Sequence, residues 1–189
     1  MANYITQYVT FKNLNEASKA ELNRIFKAEP DKYTDVHTTD LIAGIFDKPD
    51  YTEDDYDREW VVENCGAKWF YGGIESEWGD EMSATMVSAW DPINPLLEIL
   101  TQKLVKLNEE VVVESMFEDE GYNFAGVFYG SKEHTTEEYI DIENWDIERF
   151  WSGEEEDNEY MDEFKWELSE MLEAERNVHI RKKKGEYEE

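Results

Sequence analysis

The sequence predicts an α+β fold: an antiparallel sheet with helices packed on one face, and an acidic helical extension at the C-terminal end. Three observations predict it. Short segments rich in β-branched and aromatic residues occur in pairs, joined by polar connections that contain glycine. Longer segments between them place apolar residues at helical spacing. A last segment keeps that spacing while loading its opposite side with carboxylates.

The first strand is YITQYVTF, Tyr4 to Phe11. Asn15 is an N-cap residue type ahead of EASKAELNRIFKA, in which Ala17, Ala20, Leu22, Ile25 and Phe26 recur at helical spacing. Pro30 ends that helix. Thr39 and Asp40 open a short helix through Leu41, Ile42, Ile45 and Phe46, stopped before Pro49. An acidic loop, DKPDYTEDDYDREW, follows from Asp47 to Trp60. From Ala67 the pattern turns to strands, KWFYGGIES and SATMVSAW, separated by EWGDEM with the composition of a hairpin turn. Asp91 as cap and Pro92 in the first turn start a helix whose stripe is Leu96, Leu97, Leu100, Leu104 and Leu107. VVVESMF and YNFAGVFYG, joined by EDEG, form a second hairpin. Strand, helix, two strands, helix, strand is the ferredoxin-like order, with one strand added.

The residues in these elements resemble a known family. NCGAKW (Asn64 to Trp69), SAWDPINPLLEIL (Ser88 to Leu100) and EDEGYNFAGVF (Glu118 to Phe128) are similar to the YubB-type ferredoxin-like domains of phage and plasmid proteins. Those domains carry an Asn-x-Gly-x-Lys-Trp element, a Trp-x-Pro helix start and a Glu-x-Gly-x-x-Phe-x-Gly hairpin. The resemblance spans about residues 1–130, with an insertion at about 29–63, and leaves 131–189 as an acidic helical extension. It implies a fold and a mobile-element origin, and it carries no catalytic residues. Cys65 stands where an aromatic residue is expected.

Composition narrows the function classes. The chain has 189 residues with 7 Trp, 11 Tyr and 9 Phe, enough aromatic mass for a packed core. Its 47 acids and 18 bases leave a net charge of −29, which repels nucleic acid and anionic membrane alike. From Glu133 to Glu175 there are 18 acids and only two bases, Arg149 and Lys165. Arg181, Lys182, Lys183 and Lys184 reverse the sign as a frayed tail or local counter-charge. Cys65 is the only cysteine, so no internal disulfide forms and a reducing compartment is expected. No secretory leader and no run of about 20 apolar residues is visible, which points to the bacterial cytoplasm.

Within Glu154 to Glu175, about 100° per residue puts Tyr160, Met161, Phe164, Leu168, Met171 and Leu172 on one face. Glu155, Glu159, Asp162, Glu163, Glu170 and Glu173 fall on the other, with Trp166 among them. Neighbouring turns hold carboxylates about 5–6 Å apart, near the spacing of phosphates along a strand. The expected activity is therefore non-enzymatic: the acidic face, with Trp166 as anchor, occupies the basic groove of a host nucleic-acid-binding or defence protein, as a DNA mimic does. A solvated amphipathic helix is the plain alternative, and a structural module kept soluble by charge is another.

Other chemistry is weaker. Asp50, Glu53, Asp54, Asp55 and Asp57 lie close enough in sequence to hold Mg²⁺ or Ca²⁺ for a metal-dependent enzyme, but without the glycine and terminal glutamate of an EF-hand. One cysteine and the scattered His37, His134 and His179 make no zinc pattern. Cys65 reads as a packing residue, Gly66 as one needed for backbone conformation or close packing, and Trp69, Phe70, Phe124 and Phe128 as core. No cofactor is expected.

Overall fold

The computed structural model describes residues 3–28, 33–121, 123–140 and 155–184, and side chains throughout these except those of 155–161. Among the described residues, seven strands and five α-helices make an α+β fold. The strands are β1 (Tyr4–Lys12), β2 (Val36–His37), β3 (Phe70–Trp78), β4 (Glu81–Ala89), β5 (Val112–Asp119), β6 (Ala125–Gly130) and β7 (Thr135–Tyr139). The helices are α1 (Glu16–Ile25), α2 (Thr38–Ile45), α3 (Arg58–Cys65), α4 (Asn94–Val105) and α5 (Glu155–Lys184).

All pairings are antiparallel, in the order β2-β3-β4-β1-β5-β6-β7. The α4 crossover from β4 to β5 passes over β1, whereas α1 leads from β1 past β4 and β3 to β2 at the sheet edge. The β3–β4 hairpin pairs Trp78 with Glu81 across a two-residue loop. Gly79 takes φ +60° at its first position, where a β side chain would be strained and where a type II′ turn requires a positive φ.

Side-chain alternation divides the sheet between two cores. In β1, Ile5, Gln7, Val9 and Phe11 are buried while Tyr4 and Tyr8 are exposed. Val9, Phe11, Met82, Ala84, Met86 and Phe128 pack with Leu22, Ile25, Leu41, Ile42, Val61, Leu97, Leu100 and Leu104, so α1 to α4 cover one face. The stretch 29–63, read as an insertion, thus supplies Leu41, Ile42, Ile45 and Val61 to this main core. Val127, the neighbour of Phe128, faces the other way into a smaller cluster with Ala125, Ile140, Phe164, Leu168 and Leu172, which seats α5 on β6.

Polar groups tie the first core down. Gln7 is fully buried; its Nε2 donates to Asn94 Oδ1 (3.0 Å) and Ser115 Oγ (3.2 Å), and its Oε1 accepts from the Ile93 N–H at 2.6 Å. That last bond satisfies a donor at the start of α4, which has no side-chain cap of its own.

Several elements differ from the sequence reading. Asn15 does cap α1, accepting from the Ser18 N–H, but Ala17 and Ala20 are exposed and Ser18, Leu22 and Ile25 form the buried side. Helix α4 begins at Asn94 with Pro95 in its first turn, rather than at Pro92, and ends at Val105, which leaves Leu107 exposed. Phe70 and Phe128 are core, whereas Trp69 and Phe124 are only half-buried. Trp69 stacks on Tyr71, with ring centroids 6.1 Å apart, and meets Tyr4 edge-on. The basic run is no frayed tail, because α5 continues through Lys184.

Candidate functional site

Helix α5 has 30 residues, and its charge is divided along its length. Residues 155–175 hold ten acids and one base, while 176–184 hold five bases and no acid. Carboxylates near a helix N-terminus and cations in its last turn both oppose the macrodipole. That benefit is confined to the terminal turns, so it leaves the acids of the middle turns without a structural account.

What holds α5 in place is a seam of Phe164, Leu168 and Leu172, at most 3% exposed and spaced four apart. Burying three such side chains stabilises the docked helix by about 1.5–3 kcal/mol each. Beyond the seam the C-terminal half is fastened by charge. The Arg176 guanidinium donates to both oxygens of Glu114 in β5, and Lys12 in β1 reaches the same carboxylate at 2.8 Å. Lys183 pairs with Glu110. His134 is held between Glu175 (Nε2 to Oε2, 2.5 Å) and the Lys182 ammonium (3.1 Å to Nδ1), so Lys182 donates to Nδ1 and the Nε2–H faces the carboxylate. The basic run is therefore counter-charge built into the fold. Lys12, Glu114, Tyr129, Arg176, His179 and Lys183 also line a cleft of about 380 Å³, in which Lys12 and Arg176 share the single Glu114 carboxylate and leave an excess of positive charge.

The predicted surface residues lie on the opposite side. Asp162, Glu163, Glu170 and Glu173 are exposed, and Trp166 is 64% exposed. Counting turns, Asp162, Glu163 and Glu170 are the neighbours of Trp166 four before, three before and four after it. The indole is thus ringed by carboxylates and not covered by the rest of the described fold. Among the described residues, the ion pairs of α5 all come from its C-terminal half, from Glu175 onward. Glu155 and Glu159 lie in the first turns of α5, but their side chains, with those of Tyr160 and Met161, are outside the described residues, as is Glu154.

The acidic loop is differently organised. Asp55 accepts from the Thr52 N–H and hydroxyl, both at 2.9 Å, in a capping box over a 3-10 turn (Glu53–Asp55). Asp57 caps α3, accepting from Glu59 N (2.9 Å) and Trp60 N (3.2 Å). Two of the five proposed metal ligands are committed to backbone groups. Among the described residues no three His, Cys, Asp or Glu side chains converge as a metal site requires.

Nucleophile activation finds no geometry here either. Burial pushes the Cys65 thiol up to about 12, so it is not a thiolate at neutral pH. Ser131 Oγ lies 2.9 Å from His179 Nδ1, but Glu133 faces that same nitrogen at 3.8 Å, whereas a triad needs the acid across the ring from the serine. Burial also lowers the affinity of His179 for a proton.

Comparison of the chain with family models, curated proteins and solved structures returns no match. Among the described residues no helix is long and apolar enough to cross a membrane.

Proposed function

We propose that this chain is a non-enzymatic phage protein that binds a host protein through the outer face of α5, in the bacterial cytoplasm. The partner is a nucleic-acid-binding or defence factor with a basic groove, and the acidic face stands in for a phosphate backbone. The observation that carries this reading is Trp166, exposed at the centre of Asp162, Glu163, Glu170 and Glu173 on a helix fixed from behind by Phe164, Leu168 and Leu172. A large exposed aromatic ringed by charge is what an interface anchor with a polar rim looks like from one side. Rigidity matters because a preordered surface loses less entropy on binding. From Asp162 to Glu173 the acids extend over about 17 Å of helix, at about 1.5 Å per residue.

The fold assignment belongs to the same proposal. The order β3-β4-β1-β5 supports a ferredoxin-like unit extended by β2, β6, β7 and α5, and the YubB-type assignment rests on the sequence motifs alone.

The test reverses Asp162, Glu163, Glu170 and Glu173 to Lys and compares capture from bacterial lysate, followed by salt elution and mass spectrometry. Wild type is expected to retain a basic nucleic-acid-binding protein that elutes as salt rises, because such attraction is screened over about 8 Å at physiological ionic strength. The reversed variant is expected to retain none of it with its circular dichroism unchanged. Equal capture by both proteins would exclude α5 as the interface.

A further inference from the structure

The loop between α2 and α3 surrounds a cation with three aromatic rings. Lys48 Nζ lies 4.3 Å from the ring centroid of Trp60, 5.9 Å from that of Phe46 and 6.0 Å from that of Tyr51. Phe46 meets Trp60 edge-on at 5.2 Å, and Tyr51 is tilted against it at 6.5 Å. The rings are half-buried against the main core, while Lys48 itself is exposed. A surface cavity of about 410 Å³ lies alongside, walled by Lys48, Pro49, Asp50, Tyr51 and Asp55, so that of the three rings Tyr51 borders it.

Two features set this apart from a chance contact. In a chain with so many acids, the Lys48 ammonium has no carboxylate partner among the described residues; adjacent Asp47 is taken by Lys103 and Arg24. Around the ammonium stand three ring faces, whose negative quadrupoles attract a cation.

We propose that Phe46, Tyr51 and Trp60 form an ammonium-binding cage, that Lys48 is its tethered occupant, and that the cage takes an alkylammonium ligand when Lys48 swings out. The shared chemistry is a cation on a narrow stem, such as an unmodified or methylated lysine of a basic partner. A primary ammonium is strongly hydrated, so moving it among rings costs more than moving a quaternary one. The cage therefore favours the methylated form. Lys48 acts as a competitor in cis: apparent affinity falls in proportion to the fraction of time the cage is empty. This site is separate from α5, and its test does not depend on the acidic-helix reading.

The experiment is a titration of the full chain with tetramethylammonium chloride, followed by NMR at the Trp60 indole, which is assigned from Trp60→Phe. Sodium chloride at equal ionic strength is the control. Saturable binding is expected in wild type, strengthened about tenfold or more in Lys48→Met as the internal competitor is removed. Tyr51→Leu added to Lys48→Met keeps the Trp60 indole as reporter and is expected to weaken binding at least several-fold. Should that double variant unfold by circular dichroism, Phe46→Leu in the Lys48→Met background replaces it and is expected to weaken binding several-fold. Parallel titrations with the amides of Nα-acetyl-lysine and Nα-acetyl-trimethyllysine separate the two sources, and tighter binding of the trimethylated form is expected. A response matched by sodium, no gain in Lys48→Met, or undiminished binding without the ring would overturn the cage. Tighter binding of unmodified lysine would overturn the preference for methylation.

Discussion

Arg176 of α5 closes on both oxygens of Glu114 of β5, at 2.5 and 2.6 Å, and Glu114 is a buried acid in an apolar strand. Burial alone would raise that carboxyl, but Arg176 and Lys12 outweigh it and hold the group below the ordinary carboxylate value. With the folded value below the unfolded one, the pairing stabilises fully above the unfolded pKa of about 4.3. It is lost as pH falls through the folded value. Arg176→Ala removes one of two partners, and the guanidinium is partly exposed. The expected loss is therefore about 2–3 kcal/mol at pH 7, less than for a wholly buried pair. Urea unfolding at pH 7 and at about pH 3 checks this. The gap between wild type and variant should shrink at the lower pH, and an undiminished gap would mean that packing, not charge, is what Arg176 contributes.

Gly66 is where the end of α3 meets the start of α4. It ends α3 at φ +90°, and a Cβ there would lie 2.6 Å from the Pro92 carbonyl oxygen and 2.7 Å from Pro95 Cδ. Strain and overlap add, so Gly66→Ala is expected to cost about 2–4 kcal/mol in urea unfolding. Val62→Ala, on the exposed side of the same helix, is expected to change little. A neutral Gly66→Ala would show that the approach of α3 to the start of α4 is looser than the geometry indicates.

Elements with their own periodicity were legible in the sequence: both hairpins, α4 and the apolar seam of α5. Helix α3 was not, because REWVVENC buries only Val61 and Cys65, and its cap Asp57 reads as one more acid among many. Strand β7 (TTEEY) pairs only with β6 and is exposed at all but one position, so it shows no alternation. The start of α4 depends on Gln7, 86 residues away, which local signals do not reveal. The clamp did leave a trace. Glu114 is the lone charge inside VVVESMF, and Arg176 continues the seam four residues past Leu172. A charge at an apolar position on each of two elements points to a pair between them. The aromatic cage left less, since Phe46, Tyr51 and Trp60 are spaced by chain turns that only the folded loop brings together.

Phe164 and Trp166 are two residues apart on α5 and separate the two things this helix does. Phe164 is 1% exposed, so Phe164→Ala should cost about 3–4 kcal/mol and raise amide hydrogen exchange along α5. The helix would not persist undocked, because residues 155–175 carry ten acids against one base and like charges three and four apart oppose helix formation. Trp166→Ala should leave stability within about 0.5 kcal/mol, since its ring faces solvent. If Trp166→Ala instead destabilises the fold by 2 kcal/mol or more, the indole is packed against the protein. The acidic face would then have no anchor at its centre, and charge alone would have to account for any partner it binds.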